Sequence, residues 1–383
     1  MSTSTVLRRA LRPAAAGLAA SALILSAANA NAVILAPTPT ANTWGTNGRV
    51  TEILPVGGGQ MVIAGAFTAV TDSAGGSHPA ANLALLDATG AAVSSWTAGA
   101  DNEVDALALV GGRLYLGGKF DQVDGKPHRR LAAVDLGTGA LIDAFTATAN
   151  GQVFSLAGSP SSVFVSGSFT SVKSAASGTV ARAYVAKLDA VTGGVDPGWV
   201  ADTNAKVRSV IVSPDNAAVY LGGDFTSVGS TYARYGAALT TSDPAELLPY
   251  RSAVPAPILK QAYYNGDVLL AIGGYGGACA SVSATTGAPQ WIAWTDGNVQ
   301  AVTAYDGVAY CGGHFSLFGG AARQHIAAVE LAGPSISSWN PGTNSALGVY
   351  ALANDGAALF AGGDFTKAGS RPRAHLAEFS PVP

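Results

Sequence analysis

The apolar positions along this chain recur in one motif. A run of apolar residues is followed by a pair of small residues (Gly-Gly in most copies), one variable residue and a Phe. It appears as MVIAGAF ending at Phe67, LYLGGKF at Phe120, VFVSGSF at Phe169, VYLGGDF at Phe225, AYCGGHF at Phe315 and LFAGGDF at Phe365. A degenerate copy, LLAIGGYGG, puts Tyr275 in the Phe place. The steps between copies are 53, 49, 56, 50, 40 and 50 residues. Before each motif stands a V-x-A-L element, as at Val104, Val153, Val299 and Val349, and a short turn rich in Gly, Asn and Asp joins the two. After it, a variable loop leads to a third apolar run, at Leu131, Tyr184 and Ile326 among others. A weaker fourth element ends in an aromatic residue: Trp96, Phe145, Trp199, Trp294 or Trp339. Short runs rich in Val, Leu, Ala and aromatics, broken by turn residues, read as strands. Helical periodicity of useful length is confined to the N-terminus.

Seven copies with a period of about 50 residues and four short strands each predict an all-β fold, a single seven-bladed β-propeller with four-stranded blades over residues 33–383. The Gly pair fits this reading, because glycine lets backbones approach closely and permits a bulge. No helix pattern follows the pair to present N–H groups to a phosphate, so it is not a nucleotide-binding loop. The last copy has a third strand, HLAEF, and no fourth, while residues 33–44 precede the first copy and belong to no complete blade. Pairing of this N-terminal segment with the third strand of the last blade would close the ring.

Residues 1–32 carry Arg8, Arg9 and Arg12 with no acid, then an apolar stretch and SAANANA. That is the layout of an export signal peptide, cleaved after Ala30 or Ala32. Its Arg8-Arg9 pair matches the twin-arginine signal only loosely. The apolar run is shorter than a membrane span requires. The mature chain is therefore expected to be secreted, with no membrane span. Its net charge moves from −3 to −6 with the three arginines gone. No basic excess or stripe points to nucleic acid. Cys279 and Cys311 are the whole cysteine set. In an oxidising compartment they are disulfide candidates, on adjacent blades by repeat alignment.

Blade-specific polar residues on the inner strands are the place to seek a site. The residue after the first Val of each copy gives Thr51, Asp105, Phe154, Arg208, Gln261, Gln300 and Tyr350. The polar and phenolic members, Thr51, Asp105, Arg208, Gln261, Gln300 and Tyr350, are the ligand-binding candidates at the channel mouth. No paired carboxylates or Ser-His-Asp set is recognisable among them, and strand alternation would turn Glu52 and Glu103 away from Asp105. No catalytic residue, metal site or cofactor is assigned. His325 and His375 hold the same place in neighbouring copies, too far apart to share a metal. His314 replaces the variable residue of GG-x-F and reads as a tolerant position. Asn47, Asp101, Asn150, Asn204 and Asp296 stand three residues before the first Val and read as a repeated turn rather than a ring of ligand carboxamides. A recurrent Arg (Arg182, Arg234, Arg323, Arg373, with Arg129 or Arg130 in the second copy) reads as structural, stacking on an aromatic or holding a carboxylate such as Asp224 or Asp364. Trp291, Tyr232 and Tyr264 are possible sugar-stacking platforms.

IDAFTATANGQVFSL, from Ile142 to Leu156, and VYLGGDFTSVG, from Val219 to Gly229, resemble the repeats of secreted bacterial propellers of the delta-60 type. The likeness runs from about residue 44 to 380. Kelch repeats are similar in the apolar-Gly-Gly strand, but lack the Phe that follows. The delta-60 resemblance implies a propeller fold and an extracytoplasmic location, and little chemistry. The expected function is a non-enzymatic recognition or scaffold module for an extracellular or cell-wall glycan or protein. The alternative is an extracellular polymer hydrolase or lyase with its site at the channel mouth.

Overall fold

The repeats become sheets. The structure, a computed structural model, describes residues 35–41, 44–274 and 276–382. The export signal expected at 1–32 lies outside the described residues, and no described residue is helical. Seven larger antiparallel sheets stand in chain order among the described residues. Their first, inner strands are Arg49–Gly57, Val104–Val110, Val153–Ser159, Val207–Val212, Ile258–Tyr264, Val299–Tyr305 and Val349–Asn354. Each pairs with the strand carrying the small-residue pair, which pairs in turn with the third run.

Among the described residues a fourth strand forms in the fifth sheet, Pro289–Trp294, and a short one in the sixth, Ser335–Ile336. In the first four sheets it shrinks to one bridge: Leu86 with Ala92, Val134 with Leu141, Leu188 with Val195 and Leu239 with Leu247. In the first and third of these the chain then turns inward to seat a Trp. Trp96 Nε1 donates to the Leu136 carbonyl and Trp199 Nε1 to that of Thr240, both at 2.9 Å. Each acceptor lies at the end of the following sheet's third strand, Leu136 just past it and Thr240 its last residue, so the aromatic that ends one repeat ties it to the next.

The two glycines of the pair do different work. A Cβ on Gly117 would lie 2.5 Å from Val153 Cγ1, in the inner strand of the next sheet. A Cβ on Gly118 would lie 2.3 Å from the Glu103 carbonyl oxygen, in its own sheet, where the register shifts between Val104 and Ala106. The first glycine admits the neighbouring sheet and the second admits a bulge. Gly117→Ala is expected to cost about 1–3 kcal/mol by overpacking. Gly118→Ala should cost more, because its obstacle is backbone and cannot change rotamer. Urea unfolding of the two variants checks the order, and the reverse order would refute this division.

The same contact joins last sheet to first: a Cβ on Gly362 would lie 2.6 Å from Val50 Cγ1. Val50, Ile53, Met61 and Ile63 share one buried cluster with Ala351, Phe360 and Leu376. The N-terminal segment lies along the end of the chain. Leu35, 2% exposed, bridges to Pro381, Ala36 N–H donates to the Ser380 carbonyl at 2.9 Å, and Thr40 N–H to that of Glu378 at 2.8 Å. Trp339 Nε1 donates to Ala36 O at 3.3 Å, as Trp96 and Trp199 donate to their following sheets.

Cys279, third strand of the fifth sheet, and Cys311, second strand of the sixth, form a disulfide with a Cα–Cα distance of 6.3 Å. The variable loops after Phe hold short hairpins, such as Ala69–Thr71 with Ser77–Pro79 and Ser171–Ser174 with Gly178–Ala181, which the sequence had not separated from loop. The repeated Asn or Asp fastens these hairpins. Asn150 Oδ1 accepts the N–H groups of Thr170 and Ser171, while its Nδ2 donates to Thr170 Oγ1. Asn47, Asp101, Asn204 and Asp296 act alike, and so does Asn344, which the spacing missed. These are turn fasteners, as the sequence suggested.

The recurrent Arg needs a correction. Arg182, Arg323 and Arg373 are equivalent, and their guanidinium groups grip backbone carbonyls rather than Asp224 or Asp364. Arg234 sits one position later and lies over the Tyr235 ring at 4.7 Å. Arg130 occupies the left-handed position before the third strand (φ 67°), which Tyr235 and His325 fill elsewhere.

Candidate functional site

All seven inner strands meet around one cavity of about 290 Å³. Its wall is built by a repeated irregularity. In every copy the inner strand shifts register at the residue after its first apolar position, and that bulged residue is Thr51, Asp105, Phe154, Arg208, Leu259, Gln300 or Tyr350. All seven line the cavity. A bulge aims a side chain out of the ladder and breaks strict alternation, so one device, repeated in seven strands, gives the site its lining.

Five of the six sequence candidates, Thr51, Asp105, Arg208, Gln300 and Tyr350, come together here. Gln261 does not. In the degenerate fifth copy the bulged residue is Leu259, and Gln261 pairs opposite Leu270, where the second and third copies have Leu107 and Leu156. Gln261 is 7% exposed, and neither amide atom has a partner among the described residues. It lines a second cavity of about 310 Å³ further along the strands, with Ser155, Ser209 and Thr303. Lys260 lines both cavities, and its ammonium meets Glu52 Oε2 at 2.5 Å, joining the fifth sheet to the first across the centre.

Arg49, Glu103 and Lys119 also line the mouth, and the sequence reading passed over Arg49 and Lys119. Arg49 precedes the first Val of its copy. Lys119 is the variable residue of GG-x-F, whose variability had suggested tolerance. Glu103 had been expected to face away from Asp105, but it stands two positions before it, a spacing that strand alternation places on one face, and both line the cavity. Arg49 Nη2 bonds Glu103 Oε1 at 2.7 Å, and Lys119 Nζ bonds Glu103 Oε2. Burial works against the Glu103 carboxylate, yet its bonds to Lys119 and Arg49 outweigh that and hold its pKa below the usual range. Among the described residues Asp105 has no cation in contact and accepts only the Gln152 amide, at 2.7 Å. Burial, with the Glu103 charge beside it, pushes Asp105 up to about 6.

Arg208 holds Asp224, another GG-x-F variable residue, in a two-point pair at 2.7 and 2.8 Å, and lies 6.0 Å from the Phe154 ring centre. Arg49 lies 5.5 Å from that of Tyr350. Thr51 Oγ1 donates to Val104 O at 2.9 Å, and the buried Gln300 Oε1 has no partner among the described residues. The three aromatic candidates lie elsewhere. Tyr232 is 68% exposed, Trp291 packs partly against the core near the disulfide, and Tyr264 accepts the Gly307 N–H at 2.9 Å.

A carboxyl whose pKa is raised on folding stabilises the fold while protonated and loses that contribution as pH rises through its folded value. Asp105 should therefore cost stability progressively from about pH 4 to pH 7. Asp105→Asn should melt like the native protein at pH 4 and be more stable above pH 6.5, on the order of 2 kcal/mol. Denaturation across that pH range checks it, and parallel profiles for the two proteins would refute the raised pKa.

No family model and no curated protein matches the chain. Solved structures do. The WD40 β-propeller domain of Doa1 superposes over 91% of this chain and 96% of its own, with a TM-score of 0.59 at 10% identity. A computationally designed protein, Ika8, superposes over 90% of this chain and all of its own, with a TM-score of 0.53 at 12% identity. The chain is thus an all-β protein with a β-propeller fold. Identities this low carry the fold and leave function to the site.

Proposed function

We propose that this protein is a secreted, seven-bladed β-propeller of the delta-60 type, with its last blade completed by residues 35–40. It acts without turnover, recognising an extracellular or cell-wall glycan or protein at the mouth of its central channel. Seven consecutive sheets, the Gly362–Val50 approach and the Leu35–Pro381 bridge support the ring. The disulfide fits an oxidising compartment. The observation that carries recognition is the pairing of charge at the mouth. Glu103 is spent on Arg49 and Lys119, Asp224 on Arg208, and Glu52 on Lys260. Such a set, flanked by Phe154 and Tyr350, orients a polar ligand and leaves Asp105 as the carboxyl without a cation in contact.

One observation favours the hydrolase or lyase reading. Glu103 and Asp105 are neighbouring carboxyls whose pKa values are pushed apart, the arrangement of a general acid beside a permanent anion. Two variants separate the readings. Immobilised cell-wall polymers and a glycan array should bind the native protein and release no fragments. Arg208→Gln should weaken binding at least tenfold, while Asp105→Asn alters its pH dependence. Release of fragments that Asp105→Asn abolishes would replace recognition with catalysis.

A further inference from the structure

Four sheets seat a guanidinium against the same backbone carbonyl. The residue carrying it donates its own N–H to the third residue of the third strand: Asp196 to Lys187, Leu248 to Ala238, Ser337 to Ala328 and Thr40 to Glu378. Arg182 Nη2 donates to Asp196 O at 2.9 Å, Arg323 Nη2 to Ser337 O at 2.7 Å, and Arg373 Nη2 to Thr40 O. In the fourth sheet Arg251 reaches Leu248 O from downstream, at 3.0 Å.

The first sheet has the carbonyl and lacks the arginine. Its matching residue is Val93, whose N–H donates to Leu85 O at 2.9 Å. The residue matching Arg182 is Ala80. Both stand two positions before the left-handed residue that opens the third strand, Tyr184 or Asn82, and their N–H groups donate to equivalent carbonyls, of Thr170 and Thr68. A methyl there leaves an open groove of about 710 Å³, lined by Ala80, Leu83, Leu85, Val93, Ser94 and Trp96. These residues correspond in position to the strand and outer segment that flank Arg182 in the third sheet.

We propose that this groove is a docking site for an arginine side chain of a partner polypeptide. Apolar walls suit the three-carbon stem of arginine. Val93 O accepts one N–H, from Trp96 at 3.0 Å, and a carbonyl has a second lone pair to offer a guanidinium. Asp101 also lines the groove and adds attraction for a cation. The planar fork of arginine is what the sister sheets use here, so the site discriminates against lysine. It lies apart from the channel mouth and is independent of what binds there.

The probes are three capped tripeptides, Gly-Arg-Gly, Gly-citrulline-Gly and Gly-Lys-Gly, titrated into the full mature protein by NMR or calorimetry. The arginine peptide should bind saturably and at least tenfold more tightly than the other two. Ala80→Arg, which supplies the guanidinium in cis, should abolish binding and raise the melting temperature. Should that variant fold poorly, Ala80→Met fills the groove without charge and should abolish binding as well. Failure of the arginine peptide to bind at 10 mM, equal binding of the citrulline or lysine peptide, or undiminished binding by the filled variants would each overturn the proposal.

Discussion

A chain that starts at residue 42 should melt about 10 °C lower than one that starts at residue 33. The segment buries Leu35, whose transfer from water contributes roughly 2 kcal/mol. Two backbone hydrogen bonds to Ser380 and Glu378 go with it, each worth about 1 kcal/mol net. Trp339 Nε1 would lose Ala36 O, and Arg373 would lose Thr40 O. Donors left buried without acceptors cost about 1–3 kcal/mol each, less whatever water recovers. The sum is on the order of 5 kcal/mol, and a chain of this length loses roughly 2 °C per kcal/mol. Trimming residues 382–383 is the control: Val382 is 53% exposed, and its loss should leave melting unchanged. Calorimetry of both truncations checks the difference. An unshifted transition after the N-terminal deletion would show that the last sheet does not depend on that segment.

The second large effect belongs to the disulfide. Cys279 and Cys311 are both fully buried and separated by 32 residues. A closed loop of that length stabilises by roughly 3–4 kcal/mol in the chain-entropy treatment. The bond also pins the fifth sheet, the degenerate one, to the sixth. The double variant Cys279→Ala/Cys311→Ala should remain folded and melt about 7 °C lower, with the small cavities left by two sulfurs adding to the loss. Reductant should lower the melting point of the native protein and leave the double variant where it is. Native and variant proteins melting together, with and without reductant, would show that the bond adds nothing.

Much of the architecture was legible because the repeat encodes it redundantly. Each copy states its inner strand, its glycine pair and its third strand, so one poor copy costs little. The cysteine pairing followed from the same alignment. What the sequence hid has physical causes. Two-residue strands such as Lys126–Pro127 carry no alternation, so the hairpins read as loop. In the first four sheets the outer strands rest on single bridges, too short to show a pattern of alternation. In the fifth copy, ILKQ has no small residue to mark the bulge, and the reading slipped by two, to Gln261 instead of Leu259. Glu103 was set aside although it stands two positions before Asp105, where an alternating strand keeps side chains on one face. Lys119 and Asp224 were hidden by their position after the glycine pair, where variation looks like tolerance and is what makes the mouth differ from blade to blade.

The bonds between the two ends of the chain bear on how the protein is made. Thr40 and Glu378 meet across 338 positions of sequence. Contacts of that span cannot form on a nascent chain until its last residues have been synthesised, and long-range pairing is slow to nucleate. The first six sheets can assemble in order as they emerge, each against its predecessor. The seventh waits for the segment around residues 35–40, made before any of the sheets, which must stay available throughout. Folding of this design finishes only when the residues near 380 reach the segment near residue 40.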